Sequence, residues 1–423
     1  MSRPIQTFHR RTVRQSQVLA LWAAVWAAAV VVAGPDDIRF GGNRLSPAPP
    51  ELPPLLDAPV PAAVSDRADD RIRHVTLRSS LLSEFWGREM VMHAAIVIPK
   101  LTNPLRNLAE CPVAYVVHGF GGSHLLAWRL GPRELERVDR GESPPVIQVY
   151  LDASCPLGHH EFADSVNNGP RGAALIRELI PTIEAELGGV REQASRYVTG
   201  HSSGGWSALW LQVNYPDTFG GCWATAPDSA DFRDFSGINL YEAENLYRDE
   251  EGGPRALVLD GDTVAMTVEA FVLAERREKA YGGQIDSFDA VFSPRGDDGR
   301  PQEFFDRTSG AINREVVDAW RRYDIGLILR SRWAELGPKL TGKIHLWCGE
   351  QDTFGLAGSA RLLAKDLAAL GGDADVRLIP GRNHFNLHEP HPTHWPDGLL
   401  VEISRQMSKT AVAEKPLPAK KAA

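Results

Sequence analysis

One stretch constrains the fold of this chain more than any other: "RYVTGHSSGGWSALW", from Arg196 to Trp210. It carries the pattern G-x-S-x-G at 200–204, with a β-branched, strand-like run before it and a helix-like apolar pattern after it. A serine in the middle of this pattern lies on a sharp turn from strand to helix, where small neighbours leave room for the adjoining elements. The pattern predicts that Ser202 is a nucleophile and that the backbone amide of Ser203 faces a developing oxyanion.

A serine hydroxyl is a weak nucleophile at neutral pH, and it needs a histidine base that a carboxylate orients. The segment "IHLWCGEQDTFG" places Asp352 just after one strand candidate, and "VRLIPGRNHFN" places His384 just after the next. The order serine, aspartate, histidine is that of α/β-hydrolase triads. We favour Asp352 and His384, with Glu350 as the rival acid and His388 as the rival base.

A second oxyanion donor is expected in the loop that follows an early central strand. The segment "YVVHGFGGSH" fits this position, because the backbone amide of Phe120 follows the strand end and glycines around it permit close backbone approach. A single donor of this kind contributes about 2.7 to 4 kcal/mol to the acyl-transfer barrier. The sequence therefore predicts an oxyanion hole made by the amides of Phe120 and Ser203.

The loop "GHHEFADSVNNGP" at 158–170 is rich in polar side chains and precedes the helix that leads to the serine strand. Polar loops above a sheet edge often contact the substrate. We predict substrate contacts for four of its residues, His159, His160, Asp164 and Asn168. The alternative is a loop held together by its own Asx turns and a helix cap.

The chain alternates strand-like and helix-like segments, which indicates a mostly parallel sheet covered by helices. Strand candidates are 94–99, 113–119, 146–152, 196–200, 221–227, 343–349 and 376–381. A helix is predicted over 170–187, with a kink or boundary at Pro181. The interval of about 228–342 is too long for a connection, so we predict a helical cap over the carboxyl edge of the sheet.

The two ends of the chain differ from its middle. Residues 1–33 join a basic flank to an uncharged apolar run, which predicts a secretory signal peptide or an N-terminal membrane anchor. Residues 34–70 are dense in proline and are predicted to be an extended linker. The hydrolase domain is predicted at 71–406, followed by a disordered tail at 407–423. The protein is thus expected to be exported to the periplasm or secreted, with a membrane tether as the alternative.

Composition removes several other classes of protein. The formal net charge is -8 and no long basic run is present, so nucleic acid is not an expected partner. The four cysteines have no CxxC spacing, which argues against a zinc ribbon, although export would allow one pair to oxidise. His388, His391 and His394 have a metal-like spacing, but the prolines between them forbid the helix that would align them. The sequence predicts neither a metal nor a cofactor, and it does not indicate the oligomeric state.

These motifs together resemble the esterase D-like branch of the α/β-hydrolases, to which S-formylglutathione hydrolases and mycolyltransferases are related. The resemblance rests on "VVHGFGGS", "FADSVNNGP", "GHSSGGW", "GEQDTFG" and "IPGRNHF", spread over about 90–400. It implies Ser202 as nucleophile, Asp352 as acid, His384 as base, and the amides of Phe120 and Ser203 as oxyanion donors. The export signal and the long insertion indicate a substrate other than a cytosolic glutathione thioester.

The sequence therefore predicts a serine hydrolase that cleaves a small-molecule carboxylic ester through an acyl-enzyme on Ser202. Three alternatives stay open on the same residues. A serine peptidase shares the elbow pattern, and an acyltransferase shares the triad but excludes water. A non-catalytic binding module of the cell envelope is the third.

Overall fold

The computed structural model describes residues 53–101, 108–189, 191–278 and 281–413. The predicted signal or anchor at 1–33 lies outside the described residues, as do residues 34–52 and 414–423. Within the described ranges, no helix is both long enough and apolar enough to cross a lipid bilayer.

A nine-stranded sheet forms the centre of the molecule. Its strands in chain order are β1 (Leu55–Asp57), β2 (Ile72–Arg78), β3 (Val91–Val97), β4 (Val113–Val117), β5 (Ile147–Leu151), β6 (Arg196–His201), β7 (Gly221–Thr225), β8 (Ile344–Gly349) and β9 (Asp375–Ile379). Their spatial order is β1-β2-β3-β5-β4-β6-β7-β8-β9.

The sheet is antiparallel at one edge and parallel elsewhere. The pairs β1·β2, β2·β3 and β3·β5 are antiparallel, and every pair from β5 through β4 to β9 is parallel. The parallel strands around the middle are almost wholly buried because helices cover both faces, which explains their nearly continuous apolar sequences. Because parallel strands end at one edge, the loops after β4, β6, β7, β8 and β9 meet there, and the fold is that of an α/β-hydrolase.

The helices, again in chain order, are α1 (Ser80–Trp86), α2 (Leu126–Asp139), α3 (Arg171–Ala174), α4 (Ile180–Glu186), α5 (Ser203–Asn214), α6 (Val268–Glu278), α7 (Gln284–Phe292), α8 (Arg314–Trp320), α9 (Ile325–Leu340), α10 (Ala357–Ala369) and α11 (Leu399–Ala413). The helix α5, which follows the G-x-S-x-G turn, is buried on nearly all sides. It packs against β6 and β7, so the turn before it has little freedom to move.

The helix predicted over 170–187 is present but interrupted. A π-helical turn, Leu175–Leu179, joins α3 to α4, and Pro181 lies in the first turn of α4. Proline has no amide hydrogen to donate to the preceding turn, so the regular hydrogen-bond ladder is broken there. The predicted boundary at Pro181 therefore agrees with the structure.

The insertion between β7 and β8 contains four helices and an antiparallel strand pair, Ala256–Asp260 with Thr263–Thr267. It contacts the carboxyl edge of the sheet, since the amide of Leu259 donates to the carbonyl of Thr353 in the loop after β8. Its last helix, α9, packs instead against α5 and α10 on the flank of the sheet. Part of the predicted cap is thus a cap, and part of it belongs to the helical layer.

Two predicted boundaries need correction. The proline-rich linker predicted at 34–70 includes β1, whose residues Leu55–Asp57 pair with β2, and a 3-10 helix at Ala62–Arg67 that buries Val64. The tail predicted from 407 begins too early, because α11 continues to Ala413 and buries Met407. In both places a short apolar set within a polar or proline-rich stretch is enough to attach the segment to the domain.

The cysteines are free in this structure. Cys111, Cys222 and Cys348 are buried, and Cys155 is partly buried. Burial raises the pKa of the Cys222 thiol to about 12, so this side chain behaves as a small apolar group.

Candidate active site

Ser202 lies between β6 and α5 in a backbone conformation that residues other than glycine rarely adopt. Its φ is 59° and its ψ is -127°. The surrounding backbone fixes this strained turn, because the amide of Ser202 donates to the carbonyl of Thr225 at 3.0 Å and its carbonyl accepts from Asp228 at 3.2 Å. Strain of this kind persists only where the rest of the fold imposes it, and it is concentrated at functional sites.

The glycines on either side of the serine are required because a larger residue would clash with neighbouring backbone. A Cβ atom on Gly200 would lie 2.2 Å from the carbonyl oxygen of Gly204, and one on Gly204 would lie 2.1 Å from the carbonyl oxygen of Val117. Both contacts are with backbone, which cannot move aside. The G-x-S-x-G spacing therefore follows from the close approach of β4, β6 and α5.

Asp352 and His384 lie together at the same edge of the sheet. His384 Nδ1 is 2.8 Å from Asp352 Oδ2, and both side chains are buried. The other carboxylate oxygen, Oδ1, accepts hydrogen bonds from the amides of Phe354 at 2.9 Å and Leu356 at 3.4 Å. These amides hold the carboxylate in one orientation, so Oδ2 faces the imidazole.

The two rival residues are placed differently. The Glu350 side chain is 49% exposed, and its carboxylate lies 4.0 Å from the guanidinium of Arg361. His388 is partly buried and its Nε2 lies 3.4 Å from the hydroxyl of Thr225, while desolvation lowers its pKa to about 4. Of these candidate acids and bases, the two that form a carboxylate–imidazole pair are therefore Asp352 and His384.

His201 connects the histidine loop to the serine turn. Its ring centroid lies 4.5 Å from that of His384 and 4.7 Å from that of His388. Its Nδ1 lies 3.1 Å from the hydroxyl of Thr225, and burial holds its pKa well below the usual range. Because His201 directly precedes Ser202, this packing sets the base loop beside the serine.

The loop after β4 also reaches the serine. A Cβ atom on Gly119 would lie 3.3 Å from the Cβ of Ser202 and 3.1 Å from the carbonyl oxygen of His201. The amide of Gly122 donates to the carbonyl of Gly119 at 3.0 Å, which closes a tight turn around Phe120. This arrangement brings the predicted oxyanion loop next to the serine, at the amino end of α5 where Ser203 begins the helix.

The four residues predicted to contact substrate do not line the cleft. His159 donates from Nε2 to the carbonyl of His118 at 3.0 Å, and the Nδ1 of His160 accepts from the amide of Phe162 at 3.2 Å. Asp164 accepts from the amide of Ala173 and the hydroxyl of Tyr215, while Asn168 accepts from the thiol of Cys155. His159, His160 and Asn168 are buried, and their contact with substrate stays a prediction. The loop is polar because it holds itself and the strand ends in place.

A buried acid that the sequence reasoning missed lies beside the serine. Asp228 Oδ1 accepts from the Ser202 hydroxyl at 3.3 Å, and its Oδ2 accepts from the Ser203 hydroxyl at 2.7 Å. Burial, together with the nearby carboxyl of Glu161, raises the pKa of Asp228 to about 6. Asp228 follows β7, so the rule that functional residues follow strand ends was a signal that could have found it.

Glu161 extends this acidic pair into the interior. The residue is 1% exposed, and burial raises the pKa of its carboxyl to about 8. Its Oε2 accepts from the hydroxyl of Ser207 at 2.7 Å, and its Oε1 lies 3.3 Å from Nδ1 of His159. Since Nε2 of His159 donates to a carbonyl, Nδ1 is an acceptor, and it accepts from the backbone amide of Glu161 at 3.2 Å.

Replacing Glu161 with glutamine is expected to remove a pH dependence of stability. An unfolded glutamate titrates near 4.3, whereas the folded group titrates at about 8, so the folded state binds more protons between these values. The stability that the neutral acid contributes is present below about pH 4 and is lost as pH rises to 8. Relative to the wild type, the Glu161→Gln variant should gain on the order of 4 kcal/mol between pH 5 and 8, since each pKa unit is worth about 1.4 kcal/mol.

Urea unfolding of both proteins at several pH values measures this difference. Lowering of the His159 pKa acts in the opposite direction, but it is present in both proteins and cancels in the comparison. Glu242→Gln, at an exposed carboxylate, is the matched control. Its free energy of unfolding should differ from that of the wild type by the same amount at every pH. If the difference in free energy of unfolding between Glu161→Gln and the wild type were also independent of pH, Glu161 would not be a neutral buried acid.

A pocket opens beside the serine and the histidine. It contains about 430 Å³ of space free of protein atoms, part of it open to solvent. Asp228, which touches Ser202, forms one side, and Phe354, whose ring lies 4.8 Å from that of His384, forms another. The remaining wall is mostly apolar and comes largely from the insertion, with Phe235, Leu257, Phe271, Ile285 and Phe288 among its members.

Comparison with known proteins agrees with this geometry. Residues 89–231, which contain the oxyanion loop and the serine turn, match the family described as "Putative esterase". The match is confined to this part of the chain. The match supports a carboxylesterase-type hydrolase, in line with the resemblance that the sequence motifs indicated. No curated protein matches the chain.

Several solved structures resemble this chain. A ferulic acid esterase is 14% identical, with 80% of this chain and 98% of that chain covered and a TM-score of 0.48. An S-formylglutathione hydrolase from Agrobacterium tumefaciens is 15% identical, with 82% and 96% covered and a TM-score of 0.44. The Staphylococcus aureus fluorophosphonate-binding serine hydrolase FphF is 12% identical, with 80% and 98% covered and a TM-score of 0.45. We draw no inference about substrate from them.

Proposed function

We propose that this esterase is an exported serine hydrolase that cleaves carboxylic esters through an acyl-enzyme on Ser202. One observation carries the proposal. Ser202, in a strained turn, follows His201, whose ring packs at 4.5 Å on His384, and His384 is in turn bonded to Asp352 at 2.8 Å. The arrangement is nucleophile, base and orienting acid at one edge of the sheet.

The proposed reaction begins with proton transfer. Because His384 donates from Nδ1 to Asp352, its Nε2 is the acceptor and can take the proton of the Ser202 hydroxyl. The serine oxygen forms a bond to the ester carbonyl carbon, and His384 then gives the proton to the leaving alcohol as the ester C–O bond breaks. Water repeats the sequence on the acyl-enzyme, which releases the acid and restores Ser202.

The oxyanion of the tetrahedral intermediate needs donors that are already in place. We assign this role to the backbone amides of Phe120 and Ser203, as the sequence predicts. The close approach of Gly119 to Ser202 brings the Phe120 loop to the reaction centre, and the amino end of α5 adds a favourable dipole at Ser203.

The pocket suggests the kind of acyl or alcohol group that the enzyme takes. Four phenylalanines, Phe235, Phe271, Phe288 and Phe354, line it together with aliphatic side chains. Asp228 places one polar group next to the reacting carbonyl. We propose esters with a compact aromatic or branched apolar group on one side of the ester bond as the substrate class.

A panel of substrates tests this proposal. The purified protein is incubated with p-nitrophenyl esters of acetic, branched-chain and aromatic acids, with matched amides, a thioester and a peptide, with and without an alcohol acceptor, and the products are identified by mass spectrometry. We expect ester hydrolysis, with kcat/KM higher for the aromatic or branched acids than for acetate. Cleavage of the peptide alone, or transfer to the alcohol without hydrolysis, would replace this proposal with a peptidase or an acyltransferase.

The export part of the proposal rests on residues 1–33. Arg3, Arg10, Arg11 and Arg14 precede an uncharged apolar run from Val18 to Ala33, which is the layout of a secretory signal. Fractionation of cells that express the full chain, followed by N-terminal sequencing, should find the protein outside the cytoplasm. Recovery of the intact chain in the cytoplasmic fraction would contradict export.

A further inference from the structure

Three histidines that the proposed reaction does not use meet at the antiparallel edge of the sheet. His74 is on β2, His93 is on the adjacent β3, and His124 is in the loop between β4 and α2. Their ring centroids are 4.9 to 5.8 Å apart. Three imidazoles at this distance cannot all carry a positive charge without strong mutual repulsion, so something other than three protons must satisfy them.

Each of the three rings has a nitrogen with no hydrogen-bond partner. These atoms are Nε2 of His74, Nδ1 of His93 and Nε2 of His124, and all are shielded from solvent. One ring nitrogen from each histidine lies within 4.8 Å of those of the others. A buried polar atom without a partner is costly, and three such atoms on neighbouring rings indicate a missing common partner.

The other nitrogens of two rings are held by acceptors. His124 Nδ1 lies 2.7 Å from Asp152 Oδ2, and His74 Nδ1 lies 2.8 Å from the carbonyl oxygen of Pro59. Each bond places the hydrogen on Nδ1 and leaves Nε2 with a free lone pair. This is the arrangement that metal-binding histidines use, in which an outer carboxylate or carbonyl fixes the tautomer and orients the ring.

The geometry points to a site for one divalent transition-metal ion of the zinc class, bound by His74, His93 and His124. Neutral imidazoles suit zinc, copper, nickel and cobalt, whereas calcium and magnesium prefer oxygen ligands. Among the described residues no fourth histidine, cysteine or carboxylate completes the group, so water or an external ligand takes the remaining position.

The site is connected to the oxyanion loop. Asp152 bonds to His124 through one oxygen, and its other oxygen lies 3.6 Å from Nε2 of His118, the residue that begins the loop. His124 ends the same loop. A bound ion would therefore fasten the edge strands to the loop that carries Phe120, which is a structural role that leaves the reaction to the Ser202 site.

Metal binding can be measured without reference to catalysis. The full chain, purified without a polyhistidine tag and stripped with a chelator, is titrated with cobalt(II) and then with zinc. We expect one equivalent of cobalt to produce visible absorption bands, which zinc abolishes by competition, and zinc to raise the Tm of the stripped protein. Calcium and magnesium should produce neither effect.

Variants assign the site to these residues. His74→Ala, at a half-buried position on the second strand from the edge, should lose the cobalt bands. Asp152→Asn should weaken zinc binding about 10-fold to 100-fold while keeping the three ligands. His391→Ala, at a partly exposed histidine outside the cluster, is the matched control and should bind as the wild type does. Absence of cobalt bands and of any zinc-dependent rise in Tm in the wild-type protein would overturn the proposal, as would equal loss in His391→Ala.

Discussion

Replacing Ser202 with alanine should lower kcat for ester hydrolysis on the order of 10⁶-fold, the loss seen when the serine of a comparable triad is removed. The alanine leaves His384 bonded to Asp352, and it leaves the backbone of the turn in place. Without the hydroxyl, no oxygen is positioned to attack the carbonyl. Steady-state kinetics with a p-nitrophenyl ester, checked for folding by circular dichroism, measures the effect.

Ser203→Ala is the matched control, because the two serines are adjacent and only the first is assigned a hydroxyl role in the reaction. The Ser203 hydroxyl donates to Asp228 Oδ2 at 2.7 Å, and the backbone amide assigned to the oxyanion is unchanged by the substitution. Loss of this hydrogen bond should cost about 1–3 kcal/mol of stability and a small part of kcat. Equal losses of kcat in the two variants would mean that the turn is wrongly assigned.

The second large effect is expected for Asp352→Asn, which should lower kcat about 10⁴-fold, as in other triads. The amides of Phe354 and Leu356 donate to Oδ1, so the oxygen of the asparagine side chain will keep that position. Its NH₂ group then faces Nδ1 of His384 and donates to it. The imidazole is forced into the tautomer that carries its hydrogen on Nε2, and it cannot accept the serine proton.

Glu350→Gln tests the rival acid by the same assay. Its carboxylate is about half exposed and its nearest charged group is Arg361 at 4.0 Å, so the kinetics should be those of the wild type. A loss of less than about tenfold in Asp352→Asn, combined with a large loss in Glu350→Gln, would reverse the assignment. A large loss in Asp352→Asn together with an unfolded circular dichroism spectrum would instead mean that the buried Asp352 is needed for folding.

The parallel part of the sheet could be predicted from the sequence because its strands are buried on both faces. Continuous apolar runs such as those of β4, β6, β7 and β8 can be recognised as strands without knowing which strands they pair with. The Ser202 turn could also be predicted from local sequence, because the spacing of its glycines follows from close backbone contacts around the strand–turn–helix unit. The positions of Asp352 and His384 followed from the rule that parallel strands end at one edge.

Of the strands at the antiparallel edge, β3 was predicted, as the candidate at 94–99, whereas β1 and β2 were not. The strand β2 reads "IRHVTLR", in which charged and polar side chains alternate with apolar ones, and β1 is only three residues long within a proline-rich stretch. Both are strands because they pair with a neighbour. That pairing depends on the rest of the sheet and leaves little trace in either segment alone.

The side-chain clusters were not predicted because their members are distant in sequence. Asp228 and Glu161 meet through the serine helix, and His74, His93 and His124 meet through strand pairing. The histidines at 388, 391 and 394 have a regular, metal-like spacing in the sequence, but they do not belong to this cluster. The polar residues of the 158–170 loop bond within the loop and to strand ends, contacts that the sequence left open as the alternative to substrate binding.

Covalent labelling tests the central claim most directly, because it reports the reactivity of one atom. The wild-type protein is treated with a fluorophosphonate, and its intact mass and tryptic peptides are measured by mass spectrometry. The account predicts one adduct per chain, located on Ser202 and absent in Ser202→Ala. Undiminished labelling of Ser202→Ala, or an adduct on another residue of the wild-type protein, would contradict it.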